Sequence, residues 1–295
     1  MKQTAVITGA TSGIGLELAK GMLKAGFHIG IVGRDADRTN TTRLQLLQTF
    51  PEGEIDCFIA DLSEKDSVAQ LAQSIKEKFP RLDILLNNAG AVYGQFLSSS
   101  SGWEKTMATN HFGPYALSLL LLPLLRQSSY GRIILTGSAA QNRIRKPFSL
   151  SAFTDKNVFN STLNYSLSKL CNSLFTYKLS QLLDKEPISV NCFHPGLIRT
   201  DIGVKHTSKT VQWIWRTFTT LFGKTTAAGA STGLFLALND AGKNNSGKFW
   251  DNQKIRALPR WVNQSFIDEV WKFTEESYGI KFPIPETTLH GRGNP

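Results

Sequence analysis

Apolar runs and helical stretches alternate along almost the whole chain. Six runs, "TAVITG", "HIGIVGR", "EIDCFIADL", "DILLNNAG", "GRIILTGS" and "ISVNCFHPG", are separated by segments of helical period such as "GLELAKGMLKAG" and "DSVAQLAQSIKEKF". A candidate seventh, "GKFW", follows near the end. The runs are apolar nearly throughout instead of at every second residue, the pattern of strands covered on both faces. Strand and helix in regular alternation specify a doubly wound α/β fold on a parallel sheet. No repeat or low-complexity linker divides the 295 residues, so one domain over 1–283 is expected. Residues 203–224 break the alternation and read as an insertion, and 284–295 read as a loose tail. In open sheets of this kind ligands bind beyond the carboxyl ends of the strands, so chemistry is sought where each run stops.

Composition narrows the classes. With 41% hydrophobic and 10% aromatic residues the chain can bury a full core, and 19% charged residues argue against disorder. The longest apolar stretch, "ALSLLLLPLL", is ten residues, about half of what crosses a bilayer, and reads as a buried helix. The opening "MKQTAVITGA" runs into a strand-like segment without a signal-peptide pattern. Cys57, Cys171 and Cys192 form no CxxC pair and fit a reducing compartment. The five histidines make no metal-ligand spacing, so no metal is expected. The expected location is the cytoplasm. The net charge of +10 raises nucleic acid or an anionic membrane as partners. "RIRKP" (143–147) carries three positive charges and no negative one, and residues 199–224 carry a net +4. Outside that second segment the basic residues do not alternate with stacking aromatics, which argues against nucleic acid.

Gly9, Gly13 and Gly15 follow the first run and precede a helix, with Thr11, Ser12 and Ile14 among them. Glycine permits a tight turn and close approach to a pyrophosphate, which the helix N-terminus then stabilises. The second run ends "GRDADR": Arg34 suits a 2′-phosphate, whereas Asp35 suits a free 2′-hydroxyl, and spacing alone leaves both open. In "NYSLSKL", Tyr165 and Lys169 stand four apart and share one face if the stretch is helical. Bringing a phenol of pKa near 10 to neutrality requires about 4 kcal/mol. An ammonium about 4 Å away at an effective dielectric near 20 supplies an amount of that order.

"TGATSGIG", "NNAG", "YSLSK" and "HPGLIRT", in this order and on these strands, resemble the short-chain dehydrogenase/reductase superfamily over nearly the whole chain. The stretches "SLSKLCNSLFTYKLSQLL", "KTTAAGASTGLFLAL" and "GKFW…EVWKFTEESYGI" resemble its retinol dehydrogenase branch, to which protochlorophyllide reductases are related. The resemblance implies a Rossmann-type fold and NADP(H), with Arg34 on the 2′-phosphate. It places Asp61 and Leu62 beside the adenine, and Asn88, Ala89 and Gly90 along the ribose and the sheet edge. Pro195, Gly196, Ile198 and Thr200 are implied at the nicotinamide end.

By the same resemblance Tyr165 is the general acid or base, and Lys169 lowers its pKa while holding the nicotinamide ribose. Ser138 holds the substrate oxygen, with Thr136 a distant second. Asn110 props a helix backbone and relays protons to Lys169, and His111 beside it is read as structural. The 27-residue gap from Ser138 to Tyr165 matches the lengthened connection of the branch. The implied reaction moves hydride between the nicotinamide and a carbonyl or alcohol carbon, with the tyrosine moving the proton. Trp213, Trp215, Phe218, Leu221 and Phe222 of the insertion are expected to wall an apolar substrate pocket, retinal-like compounds included. That wall and "RIRKP" would form a basic rim able to dock reversibly on an anionic membrane. A homodimer is a further expectation. The alternatives are a cofactor-binding interaction protein of the same fold and a reductase of tetrapyrrole-type rings.

Overall fold

A computed structural model describes residues 2–198 and 224–283. Three strand–helix pairs and a fourth strand open the chain: β1 (Thr4–Thr8), α1 (Gly13–Lys24), β2 (His28–Gly33), α2 (Ala36–Thr49), β3 (Ile55–Ile59), α3 (Lys65–Lys78) and β4 (Ile84–Asn87). A single turn, α4 (Lys105–Met107), then runs through a wide π-type turn at Ala108–Phe112 into α5 (Gly113–Leu125). β5 (Gly131–Thr136), three 3-10 turns, α6 (Ser161–Leu182) and β6 (Ile188–His194) follow. After the undescribed segment come α7 (Thr226–Leu238), α8 (Asp240–Asn244), β7 (Lys248–Asp251), β8 (Lys254–Arg256) and α9 (Gln264–Tyr278).

The sheet runs β3-β2-β1-β4-β5-β6-β7-β8. β1 to β7 are parallel, as the unbroken apolar runs require, and "GKFW" supplies the seventh strand. β8 is antiparallel and was not anticipated. Asn252 and Gln253 turn the chain back with φ of 49° and 59°, the left-handed pair of a two-residue hairpin. All three β8 residues are exposed, so no apolar pattern marks the strand in the sequence.

Alternation along β1 divides the core into two layers. Val6 joins one with α3, α5, α6 and α9, while Ala5 and Ile7 join the other with α1 and α7. The ten-residue apolar stretch is indeed a buried helix, with eleven of the 13 residues of α5 buried. A helix that is apolar all round belongs inside a domain. α9 closes over it: Tyr115 donates to the Ile280 carbonyl at 2.7 Å, and Trp103 stacks between Phe112 and Tyr278 at 4.3 and 5.2 Å. His111 lies 3.0 Å from the Thr274 hydroxyl, and burial lowers its pKa to about 4, so it is a neutral structural residue.

The end of the sheet opposite the site is tied by one buried carboxylate. Asp83 accepts from the Thr4 amide at 2.8 Å, the Ser128 hydroxyl at 2.6 Å and Arg81 at 3.2 Å. Removing it orphans several donors at once. Asp83→Ala is expected to lower the unfolding free energy by about 3 kcal/mol in denaturant titration. Lys272→Ala, which breaks only an exposed pair with Glu276, should change it by less than about 0.5 kcal/mol.

Candidate active site

Three parallel strands end in one hydrogen-bonded junction. The Thr8 hydroxyl accepts the amides of Asn88 and Ala89, both at 3.0 Å. The Asn88 side-chain amide donates to the carbonyls of Thr8 at 3.0 Å and Gly9 at 3.4 Å, and its oxygen accepts from the Thr136 hydroxyl at 3.3 Å. β1, β4 and β5 are thereby joined where the first glycine loop begins. Gly9 has a φ of +67°, and a Cβ there would stand 2.9 Å from the Ala89 Cα. Gly15 packs its α-carbon onto the Gly9 carbonyl and the Asn88 amide, leaving no space for a side chain. The loop of Thr11, Ser12, Gly13 and Ile14 is thus folded against its own helix. Ser12 is the N-cap of α1 yet makes no side-chain capping bond. Uncapped first-turn amides behind a glycine loop are the arrangement that takes a pyrophosphate, so these residues fit a dinucleotide.

The two candidates at the end of β2 differ in what they already do. The Asp35 carboxylate caps α2, accepting the Arg38 amide at 2.8 Å. Arg34 is exposed, with its guanidinium 3.5 Å from the Tyr93 hydroxyl. At the end of β3, Asp61 accepts the amide and hydroxyl of Ser63 at 2.9 and 2.6 Å, and Leu62 is buried beneath Gly113. Gly90 is half-buried beyond Asn88 and Ala89.

Asn110 is fully buried in the π-type turn. Such turns re-aim a side chain and recur at functional sites. Its oxygen accepts the Ala91 amide at 2.7 Å, and its nitrogen donates to the Ala91 carbonyl at 2.9 Å and the Ser168 hydroxyl at 3.1 Å. It therefore clamps the loop after β4 to α6, bonding Ala91 and Ser168 and not Lys169.

Tyr165 and Lys169 lie in one 22-residue helix, α6, opened by an Asn160 cap on the Leu163 amide at 2.9 Å. Tyr165 is half-buried and Lys169 is 2% exposed. The ammonium donates to the Thr136 carbonyl at 2.8 Å and lies 5.8 Å from the Tyr165 ring centroid. The groups that act on the phenol here are burial, Ser138 and Arg143, and Lys169 is not among them. Burial raises the Tyr165 pKa, opposed by the nearby Ser138 side chain and by the Arg143 charge. Lys169 is turned instead toward β5, and burial lowers its own pKa to about 8, opposed by the nearby Cys192. Ser138 also accepts the Ala140 amide at 3.1 Å and so starts the 3-10 turn Ala139–Arg143. The Thr136 hydroxyl is spent on Asn88, which leaves Ser138 as the hydroxyl beside the phenol.

At the end of β6, His194 accepts the Ala139 amide at 3.2 Å, and burial lowers its pKa. Pro195 and Gly196 are half-buried beyond it. Ile198 is buried, bridges to Lys224 in parallel and packs under Gly229 of α7 together with Ile14. Thr200 lies outside the described residues, as do the insertion apart from Lys224 and the tail from 284. Trp213, Trp215, Phe218, Leu221 and Phe222 are among them.

Sequence reasoning missed Thr8, Tyr93 and Gln141. Gln141 is 1% exposed and accepts from Ser173 at 2.6 Å, fastening the turn after Ser138 to α6. Thr8 stands immediately before the glycine loop and could have been suspected. No local signal marks the other two. Among the described residues no cluster of three His, Cys, Asp or Glu side chains is placed to hold a metal.

A dinucleotide-shaped loop, with a serine, tyrosine and lysine gathered beyond β5, defines a nicotinamide-dependent oxidoreductase architecture. The sequence pattern of the short chain dehydrogenase family matches residues 3–210, and the chain belongs to that family. Retinol dehydrogenase 14 of Mus musculus is 30% identical over 290 residues, covering 94% of this chain and 86% of the relative. Short-chain dehydrogenase TIC 32 A, chloroplastic, of Brassica napus is 31% identical, covering 92% and 87%. Among solved structures, an uncharacterised protein of Mycobacterium paratuberculosis superposes with a TM-score of 0.73 at 25% identity, covering 96% and 95%. The Pseudomonas aeruginosa RhlG/NADP active-site complex superposes with 0.66 at 29% identity, covering 84% and 94%. These relatives place the chain in the retinol dehydrogenase-like branch.

The buried ammonium has a consequence for pH. The folded pKa of Lys169 is about 8, below the ordinary 10.5, so between these values the unfolded chain binds more protons. Stability from this group therefore rises as pH climbs from about 8 to 10.5 and is lost as pH falls back through about 8. Lys169→Met should be more stable than the parent near pH 7, and the gap should close toward pH 10.5, measured by denaturant titration across that range.

Proposed function

We propose that the protein is an NADP(H)-dependent oxidoreductase acting on the carbonyl or alcohol group of an apolar substrate, retinal- and retinol-like compounds among the candidates. The observation that carries this reading is the meeting of Ser138, Tyr165 and Lys169 at the carboxyl end of β5, beside the glycine loop. Bound there, the cofactor supplies the hydride. Gly9, Thr11, Ser12, Gly13, Ile14 and Gly15 would hold its pyrophosphate, and Asp61 and Leu62 its adenine. Asn88, Ala89 and Gly90 would line the ribose, with Pro195, Gly196, Ile198 and Thr200 at the nicotinamide.

Arg34 is the proposed 2′-phosphate contact. Its guanidinium is exposed at the end of β2, whereas the Asp35 carboxylate is already committed to capping α2. Burial keeps the Tyr165 phenol protonated, the form a carbonyl reduction needs. Tyr165 donates that proton to the oxygen that gains charge, while the Ser138 hydroxyl holds the same oxygen. Lys169, fixed by the Thr136 carbonyl, would hold the ribose hydroxyls, and Asn110 keeps the α6 helix and the loop after β4 in register. The retinol dehydrogenase relatives support the substrate class. No helix among the described residues is long and apolar enough to cross a membrane. A cytoplasmic protein that visits anionic membranes reversibly, alone or as a homodimer, accords with the sequence.

The test is cofactor oxidation with NADPH and NADH in parallel, using all-trans-retinal and a panel of apolar aldehydes and ketones. Tyr165→Phe should lower kcat by about 10²–10⁴-fold without loss of cofactor binding. Arg34→Ala should raise KM for NADPH about 10–100-fold and leave that for NADH nearly unchanged. Equal NADPH affinity in the Arg34 variant would shift the ribose contact to Asp35. Tight cofactor binding with no turnover on any carbonyl compound would favour a cofactor-binding interaction protein.

A further inference from the structure

The fold joins two basic segments that are about 110 residues apart in sequence. The first follows Ser138: Arg143 ends the 3-10 turn, and Arg145 and Lys146 continue it, all three exposed. The second is the β7–β8 hairpin and the loop beyond it, with Lys254, Arg256 and Arg260 exposed. Trp261 fastens the two, its indole donating to the Ile144 carbonyl at 2.8 Å while its ring packs on Phe266 at 5.2 Å.

Strand alternation fixes which way the hairpin cations point. Arg256 pairs with Phe249 and Lys254 with Asp251, and alternate residues of a strand share a face. Phe249 belongs to the core layer of α6, whereas Trp250 belongs to that of α1 and α7. Lys254 and Arg256 therefore lie on the α6 side. The turn carrying Arg143 is held on that side by the Gln141–Ser173 bond. Among the described residues the one carboxylate these six cations meet is Asp251, 3.6 Å from Arg256. Arg143 is close enough to the mouth of the site for its charge to act on Tyr165.

We propose that this composite face, built by the turn after β5 and the β7–β8 hairpin, docks the protein on an anionic lipid bilayer with the active-site mouth toward the membrane. Cations gathered near a surface of anionic lipid each add to its attraction, and rigid placement avoids the cost of ordering a loose tail. The aromatic ring at the centre, Trp261, is committed to Ile144 and Phe266, so it is not available to stack on bases as a single-stranded nucleic-acid site would require. The proposal rests on the reading of the substrate as apolar, because such a substrate is stored in the bilayer.

The experiment is flotation with phosphatidylcholine vesicles, with and without about 30% phosphatidylserine, at low and raised salt. The full chain should float with the anionic vesicles only and be released by salt. Replacing Arg145, Lys146, Lys254 and Arg260 together by Glu should weaken that binding about 100-fold or more, with the circular dichroism spectrum unchanged. Reduction of a water-soluble aldehyde should be the same for both proteins. Absent flotation, equal flotation with neutral vesicles, or equal flotation of the variant would overturn the proposal. Salt-matched binding to short duplex DNA as tight as to the vesicles would also overturn it, by making the face a general polyanion contact. Aldehyde turnover without flotation would remove the docking face and leave the oxidoreductase reading standing. Flotation without turnover would do the reverse.

Discussion

The bond from the Lys169 ammonium to the Thr136 carbonyl is the contact on which the site depends. A cation this deeply buried is costly unless it is hydrogen-bonded, and here a strand-end carbonyl takes that role. One bond thus ties α6 to the end of β5. Tyr165, one turn earlier on the same helix, is thereby set beside Ser138, the second residue after the same strand. The geometry also decides the electrostatics. With the ammonium turned toward β5, burial is the largest influence on the phenol and raises its pKa, opposed by Ser138 and Arg143.

Around that bond the polar groups are arranged so that few are free to move. Thr8, Asn88 and Thr136 link three strand ends, and Asn110 links the next loop to α6 through Ala91 and Ser168. Each is a short side chain with few rotatable bonds, so the positions follow the backbone closely. The π-type turn is what lets Asn110 reach both partners from a helix that is otherwise given to apolar packing. The charges at the rim are arranged differently. Asp35 is consumed as a helix cap, while Arg34 and the cations beside Trp261 remain at the surface. Positive charge therefore faces outward both at the end of β2 and on the face that Trp261 joins.

Much of this was legible in the residues. Unbroken apolar runs specified a parallel sheet, because strands buried on both faces have no polar side to display. The glycine loop, "NNAG" and the four-residue step from Tyr165 to Lys169 pointed to the strand ends that carry the site, because each is a local pattern set by backbone conformation or helix period. β8 escaped notice because an exposed three-residue edge strand has no apolar signature. Gln141 and Tyr93 escaped because their partners, Ser173 and Arg34, are distant in sequence.

The sequence by itself determined the α/β order, the glycine turn after β1 and the shared helix face of Tyr165 and Lys169, since these depend on neighbours within a turn or a strand. Only the tertiary structure decided where the lysine charge points, that Asp35 is taken by α2, and that two basic segments form one face. Those outcomes depend on which carbonyl, amide or indole from elsewhere in the chain arrives at hydrogen-bonding distance. Packing of helices on the sheet sets that distance, and no local pattern encodes it.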